Sequence, residues 1–202
     1  MAVLIRLAQN RDAEPLVAIY RPFVETTAVS FEALPPDGKE MTRRIAETIA
    51  AYPWLVCEID GQVAGYAYAT RHRERAAYQW SVDTSVYVAS RYWRCGVGRG
   101  LYASLFRILT ALGFFNAYAG IALPNPASVA LHESVGFTPV GVYQRVGYKL
   151  GVWHDVGWWQ LLLKAHDATP TEPLDMAAVR THPAWESLLA SGESVIRSRA
   201  GN

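Results

Sequence analysis

Three glycines at alternate positions, Gly96, Gly98 and Gly100, stand between a β-branched run ending at Val88 and an apolar run with helical spacing, Leu101, Leu105, Ile108, Leu109 and Leu112. The segment Arg94-Cys95-Gly96-Val97-Gly98-Arg99-Gly100 therefore has to turn a strand tightly into a helix. Glycine suits that task because it enters the left-handed backbone region at little cost. Such a turn points several main-chain N–H groups into one concavity beside the positive end of a helix dipole, which holds a pyrophosphate without relying on net charge. On the glycines alone, a phosphate cradle and a helix start that only needs pliable residues are equally good readings. The strand before and the amphipathic helix after favour the cradle, and Arg94 and Arg99 add positive charge. No Gly-Lys-Ser/Thr follows, which sets aside a P-loop, and the third glycine is misplaced for a dinucleotide fingerprint.

The rest of the chain sorts around this turn by hydrophobic period. Val3 to Leu7 predicts a first strand. Arg11-Asp12-Ala13 opens a helix carrying Leu16, Ile19, Tyr20 and Phe23, with a kink or early end expected at Pro22. Thr26 to Phe31 is a short β-branched stretch broken by Pro35-Pro36-Asp37-Gly38. Lys39 to Tyr52 predicts a second helix with Met41, Ile45 and Ile49 on one face. Trp54 to Ile59, Gly61 to Thr70 and Tyr78 to Val88 read as strands, the first two joined by the hairpin signal Asp60-Gly61. After the glycine turn and its helix, for which Gly113 is a C-cap, come a strand from Ala117 to Leu123 and a helix from Ser128 to Val135. Gly136 ends that helix, and strands from Phe137 to Tyr148 and from His154 to Leu163 follow. Strands first, then strand and helix in alternation, imply an α/β fold with a mixed sheet and helices on both faces.

Composition narrows the class. Of the 202 residues 51% are hydrophobic and 18% charged, the balance of a folded globular protein. The net charge of +1 supplies no global field for nucleic acid or anionic membrane, so a bound anion must be caught by a local site. Cys57 and Cys95 fit neither a disulfide framework nor a zinc site, and no metal is expected. Cys57 lies in the apolar run Trp54-Leu55-Val56-Cys57 and reads as core. The N-terminus lacks a basic region followed by a long apolar stretch. No apolar run approaches the roughly 20 residues that span a bilayer. A cytoplasmic location is expected.

The strand ending Thr84-Ser85-Val86-Tyr87-Val88, the glycine turn, a helix, a strand reaching Ile121 and then Asn125-Pro126-Ala127-Ser128-Val129-Ala130-Leu131-His132-Glu133-Ser134-Val135-Gly136-Phe137 form a series in fixed order. In that order the chain resembles the GNAT acetyltransferase superfamily, and within it the phosphinothricin N-acetyltransferase group. Tyr52-Pro53-Trp54-Leu55-Val56, Ala77-Tyr78-Gln79-Trp80, Gly147-Tyr148-Lys149 and Trp153-His154-Asp155-Val156-Gly157-Trp158-Trp159-Gln160 add to the likeness, which runs from about Ile5 to Leu163.

The resemblance implies an acyl-CoA N-acyltransferase fold with a splayed central sheet flanked by helices, over residues 1–164. Residues 165–202 are then a linker, Asp167 to Pro173, and a tail with a short helix from Pro183 to Leu189. It also implies acetyl-CoA as co-substrate. The pantetheine arm would lie along Val86, Tyr87 and Val88, and the pyrophosphate on Arg94, Cys95, Gly96, Val97, Gly98, Arg99 and Gly100. Asn125 and Ser128 would lie near the lower cofactor arm. Trp93 stands where the family often has Gln or Arg, which removes a side-chain contact and leaves the backbone cradle. The family further implies a homodimer.

Acetyl transfer from a thioester to an amine needs the amine deprotonated, the developing oxyanion stabilised and the departing thiolate protonated. Direct attack through a tetrahedral intermediate requires no nucleophilic side chain. Asp83 occupies the position where the phosphinothricin group looks to carry a Glu proposed as general base. Being one methylene shorter, it is expected to work through a bound water, or else to be a strand carboxylate bonded to a neighbour. His132 lies where many family members have a Tyr assigned as acid to the thiolate, and an imidazole titrates near neutrality. The Val88 N–H is the candidate oxyanion donor.

Arg73 and Arg75, beside Tyr78, are candidates for a substrate carboxylate, aimed to one side if the strand persists through them. Phe31 and Glu32 match the family's substrate-covering segment. Trp153, Trp158 and Trp159 read as sheet and dimer packing, and His72, His166 and His182 receive no role. The leading expectation is acetylation of a free amino-acid analogue of the phosphinothricin or methionine sulfoximine/sulfone kind. A protein N-terminus, a polyamine or another amine is the enzymatic alternative, and a non-catalytic CoA-binding sensor is the alternative of another class.

Overall fold

The computed structural model describes residues 1–197, so positions 198–202 of the expected tail lie outside the described residues. The strands are β1 (Val3–Leu7), β2 (Trp54–Ile59), β3 (Gln62–Arg71), β4 (Ser81–Val88), β5 (Asn116–Leu123), β6 (Thr138–Lys149) and β7 (Val152–Leu162). They form one sheet in the order β1-β2-β3-β4-β5-β7-β6, antiparallel throughout except where β4 meets β5. Asp60 and Gly61 both take positive φ, 49° and 76°, and join β2 to β3 tightly.

Strand alternation divides the core between two faces. Val56 and Tyr66 pack with Leu16 and Tyr20 of α1 (Ala13–Thr26) and with Met41 and Ile45 of α2 (Gly38–Ile49). Leu55, Cys57 and Ala67 point the other way, onto Leu101, Leu105, Ile108 and Leu112 of α3 (Val97–Leu112). Each of those α3 side chains is fully buried, a contribution of about 2 kcal/mol apiece from apolar area removed from water. Gly113, at φ 97°, ends α3 as its C-cap. α4 (Pro126–Ser134) links β5 to β6 and stops before Gly136, at φ 100°.

Several local expectations need correction. α1 does not end at Pro22 but continues to Thr26. Pro22 is exposed, and the carbonyl four residues back belongs to Ala18, also exposed, so water can satisfy the acceptor that the missing N–H abandons. The β-branched stretch after α1, residues 27–31, forms a loop. Tyr78 sits in a short 3-10 turn, and β4 begins only at Ser81.

Two short helices, α5 (Met176–Arg180) and α6 (Trp185–Ala190), follow β7; the first was not expected. Met176, Val179, Leu189 and Ile196 join the core on the α3 face. Ser104 of α3 donates its hydroxyl to the Leu189 carbonyl at 2.6 Å and accepts from the Gly192 N–H at 3.0 Å. The Arg197 N–H donates to the Cys95 carbonyl at 2.9 Å, so the described tail lies against the start of α3 in its own chain. A Cβ on Gly100 would come within 2.6 Å of the Gly192 carbonyl oxygen. Gly100 thus admits the tail, a reason for glycine that the turn alone does not supply. No helix among the described residues is long and apolar enough to cross a membrane.

Candidate active site

β4 and β5 pair only at Ser81 with Asn116, Val82 with Ala117 and Asp83 with Tyr118, after which they separate and β5 follows β7 instead. On its other edge β4 stays paired with β3 as far as Val88, opposite Gly65. The Ala89 N–H donates to the Ala64 carbonyl at 2.9 Å. Counting back in twos, Tyr87, Ser85 and Asp83 spend their main-chain groups on β3, and those of Thr84, Val86 and Val88 face the gap. The gap therefore offers a ladder edge from Thr84 to Val88, and Tyr87 contributes its side chain rather than its backbone. The cleft there is lined by Ser85, Tyr87, Gly120, Asn125, Ser128 and His132, among others.

The glycine turn closes one end. Arg94 and Gly96 take positive φ, 65° and 81°, and Gly96 is the N-cap of α3. The first α3 hydrogen bond runs from the Gly100 N–H to the Gly96 carbonyl at 2.9 Å. The N–H groups of Arg94, Gly96, Val97, Gly98 and Arg99 have no acceptor among the described residues, in part because the first amides of a helix have no partner within it. A Cβ on Gly98 would meet Leu131 of α4 at 3.0 Å, so this glycine lets α4 close on the turn. Arg99 Nε donates to Ser134 Oγ at 3.0 Å, which ties that arginine to α4. Cys95 is buried. Trp93 Nε1 donates to the Val88 carbonyl at 2.9 Å, occupying one gap-facing acceptor and leaving the Val88 N–H.

His132 is buried on α4, on the α3 side of the sheet. Asn125 caps α4 by accepting from the Ser128 N–H at 3.1 Å. His132 Nδ1 lies 2.8 Å from the Ser128 carbonyl, which can only accept, so Nδ1 carries the proton. Nε2 then accepts from the Tyr102 hydroxyl at 2.8 Å. Burial lowers the His132 pKa, partly opposed by the Ser128 carbonyl, and favours the neutral ring.

Asp83 lies on the opposite face. Its cross-strand partner is Thr70, in line with Tyr68 opposite Ser85 and Tyr66 opposite Tyr87, all on the α1 and α2 side. Burial pushes the Asp83 carboxyl up, against the lowering effect of a hydrogen bond and charge from His72 and of the charge on Arg73. His72 Nδ1 sits 2.7 Å from Asp83 Oδ1. That histidine was passed over in the sequence because its partner is fixed by register, not by a local motif.

A cavity of about 200 Å³ opens between the sheet and the helices, lined by Tyr20, Met41, Arg44, Thr48, Trp54, Tyr66, Tyr68 and Thr70, the last being the cross-strand partner of Asp83. Trp54 Nε1 is buried there without an acceptor among the described residues. Arg44 holds Glu32 at 2.7 Å, and the Tyr20 hydroxyl donates to Glu32 at 3.0 Å, so Glu32 is bonded to two of the residues that line this cavity. Phe31 instead packs over Gly147 and near His154 on the β6–β7 hairpin. Lys149 Nζ donates to the Val24 and Ser30 carbonyls, both at 2.6 Å, and fastens the loop after α1 to the same hairpin.

The strand does not persist through Arg73 and Arg75, since β3 ends at Arg71 and alternation no longer pairs the two. Arg73 lies over the Trp158 ring at 5.7 Å and donates to the His72 carbonyl. Arg75 and Tyr78 are exposed, with the Tyr78 ring edge-on to His72. Trp158, read as packing, therefore joins the Asp83 neighbourhood. Among the described residues no group of three His, Cys, Asp or Glu is placed to hold a metal ion.

Residues 5–158 match the family model described as an acetyltransferase (GNAT) domain. A phosphinothricin N-acetyltransferase of Streptomyces viridochromogenes is 42% identical over 158 residues, 78% of this chain and 86% of that protein. An L-methionine sulfoximine/L-methionine sulfone acetyltransferase of Salmonella typhimurium is 34% identical over 165 residues, 81% of this chain and 96% of its own length. A solved GNAT phosphinothricin acetyltransferase from Sinorhizobium meliloti, in complex with AcCoA, superposes with a TM-score of 0.81 at 35% identity. It covers 86% of this chain and 96% of that one.

Proposed function

We propose an acceptor for a chain that belongs to the GNAT acetyltransferase family and is an acetyl-CoA-dependent N-acetyltransferase: the free amino group of a small amino-acid analogue. The substrate class is that of phosphinothricin and of methionine sulfoximine or sulfone, which the names of the relatives in Streptomyces and Salmonella carry. The observation that carries this reading is the cavity of about 200 Å³ whose rim residue Thr70 faces Asp83 directly. A space of that size, walled by Tyr20, Trp54, Tyr66 and Tyr68, suits one side chain and not an extended peptide.

In this reading acetyl-CoA supplies the acetyl thioester, held by the free amides around Gly96 and Gly98 and by the gap-facing main chain of Val86 and Val88. The Val88 N–H stabilises the developing oxyanion. Asp83 belongs to the basic end of the site, where the ammonium proton is removed, on the face opposite His132. His132, with Tyr102, serves the sulfur end, and attack by the amine is direct. Arg73 is the better placed of the two loop arginines for a substrate carboxylate. A homodimer belongs to the same reading, supported by the exposed Val142, Tyr148, Val152 and Trp153 on the β6–β7 hairpin.

The test is release of free CoA with acetyl-CoA and a panel of phosphinothricin, methionine sulfoximine, methionine sulfone, a polyamine and short peptides. Turnover confined to the amino-acid analogues is expected. Turnover on peptides or polyamine with none on the analogues would overturn the substrate. His132→Ala is expected to lower turnover far more than acetyl-CoA affinity. Light scattering that returns a monomer mass would remove the dimer.

A further inference from the structure

We propose that His72 is the direct acceptor of the substrate ammonium proton, with Asp83 as the residue that positions it. The assignment rests on the small-amine reading above, because it needs an amine beside the Thr70–Asp83 end of the cavity.

His72 follows the last residue of β3 and bends back to β4, placing Nδ1 2.7 Å from Asp83 Oδ1. An ionised carboxylate only accepts, so Nδ1 carries the hydrogen and the neutral ring keeps its lone pair on Nε2. Nε2 makes no hydrogen bond to any described residue, whereas both nitrogens of His132 are engaged. The ring is held by aromatic neighbours from three other elements. It stacks on Tyr118 of β5 at 4.4 Å and 19°, and meets Tyr78 and Trp158 edge-on at 6.0 and 6.2 Å. Its side chain is 13% exposed, mostly withdrawn from water yet open to a ligand. The charged and titratable groups around it are Asp83, Tyr118, Tyr78 and Arg73. An aspartate is enough at this position because the imidazole carries the basic atom away from the strand.

The proton count closes. His72 Nε2 removes one proton from the ammonium group, and the freed nitrogen attacks the thioester carbonyl carbon. The C–N bond forms, the C–S bond breaks, and a second proton from the nitrogen leaves with the thiolate. The imidazolium then returns its proton to solvent, so ammonium and thioester give amide, thiol and one released proton.

The test combines an NMR titration of His72, in protein carrying isotope-labelled histidine, with kcat/KM against pH for wild type, His72→Gln and Asp83→Asn. Asp83→Asn is expected to change the His72 Nδ1 signal, since the carboxylate that accepts its hydrogen is lost. His72→Gln is expected to lose about 100-fold in kcat/KM and the acid limb of the profile, with acetyl-CoA Kd within about threefold of wild type. A His72→Gln enzyme with wild-type kcat/KM and an unmoved acid limb overturns the proposal. So does a wild-type acid limb more than about 1 unit from the His72 titration, a comparison that needs no variant. The titration needs no amine: a His72 that ignores Asp83→Asn overturns the pair even if the whole amine panel is refused, and such a refusal counts against the substrate reading instead.

Discussion

The Tyr102 hydroxyl donates to His132 Nε2 at 2.8 Å, inside the core between α3 and α4. The bond is made to the neutral imidazole, so it holds a proton off Nε2 and works in the same direction as burial. Tyr102→Phe removes the donor and leaves Nε2 free to bind a proton. The His132 titration should therefore move up in Tyr102→Phe, measured by NMR, and kcat should fall by about tenfold with acetyl-CoA affinity little changed. A titration that stays put or moves down would sink the tautomer assigned here.

The tail makes a second prediction. Gly192 lies so close to the Gly100 main chain that a Cβ on it would overlap the carbonyl group. Gly192→Ala must push α6 and its neighbours away from α3, and overpacking of this kind costs about 1–3 kcal/mol. Because the Arg197 N–H holds the Cys95 carbonyl in the glycine turn proposed to grip acetyl-CoA, affinity for it should weaken along with stability. Urea unfolding and calorimetric titration with acetyl-CoA read the two effects. A Gly192→Ala protein with wild-type stability would mean the tail does not pack this way.

Features written in a few consecutive residues were legible in the sequence. Asp60-Gly61 specifies its hairpin, and Gly96 and Gly113 bracket α3, because positive φ favours glycine at those two caps. The order of strands and helices, and with it the splay between β4 and β5, came from the series of motifs. Legibility ended where two distant segments decide the outcome. His72 reads as an ordinary loop histidine until β3–β4 register brings Asp83 beside it. Arg73 and Arg75 depended on a strand that stops at Arg71. Gly100 looked like part of the cradle, but its missing side chain makes room for Gly192, 92 positions later. Pro22 looked like a helix end, a local rule that yields when the buried face of α1 continues to Val24 and the lost hydrogen bond falls on solvent.

Lys149 ties two segments of the candidate substrate cover. Its ammonium group donates to the carbonyls that follow α1, at Val24 and Ser30, while burial lowers its pKa. Lys149→Met keeps the apolar stem and deletes both bonds. The loop carrying Phe31 and Glu32 should then loosen, raising the amine KM by about tenfold, the loss expected for hydrogen bonds from a charged donor. The acetyl-CoA KM should hold, because both lost bonds go to the loop after α1 and neither goes to the glycine turn. Equal rises in both constants would show that the loop does not act on the amine alone.

Asp12 links the fold to pH through a buried fork. Arg6 donates to both Asp12 oxygens at 2.7 Å and also engages Glu58, and the Gln9 N–H adds a third bond to Asp12 at 2.7 Å. Burial by itself would raise the Asp12 pKa, but the Arg6 guanidinium and the Gln9 amide overcome it and hold the carboxyl below its ordinary value. A depressed carboxylate contributes stability that is fully present above the unfolded value of about 4 and is lost as pH falls through the folded value. Asp12→Asn should therefore cost about 3 kcal/mol at pH 7, where it leaves Arg6 short of a buried partner. The two proteins should converge in urea unfolding as the pH falls through the depressed Asp12 value, where wild-type Asp12 is itself becoming neutral. A stability difference that stays constant from neutral to acid pH would show that packing, and not the charge on Asp12, is what the substitution removes.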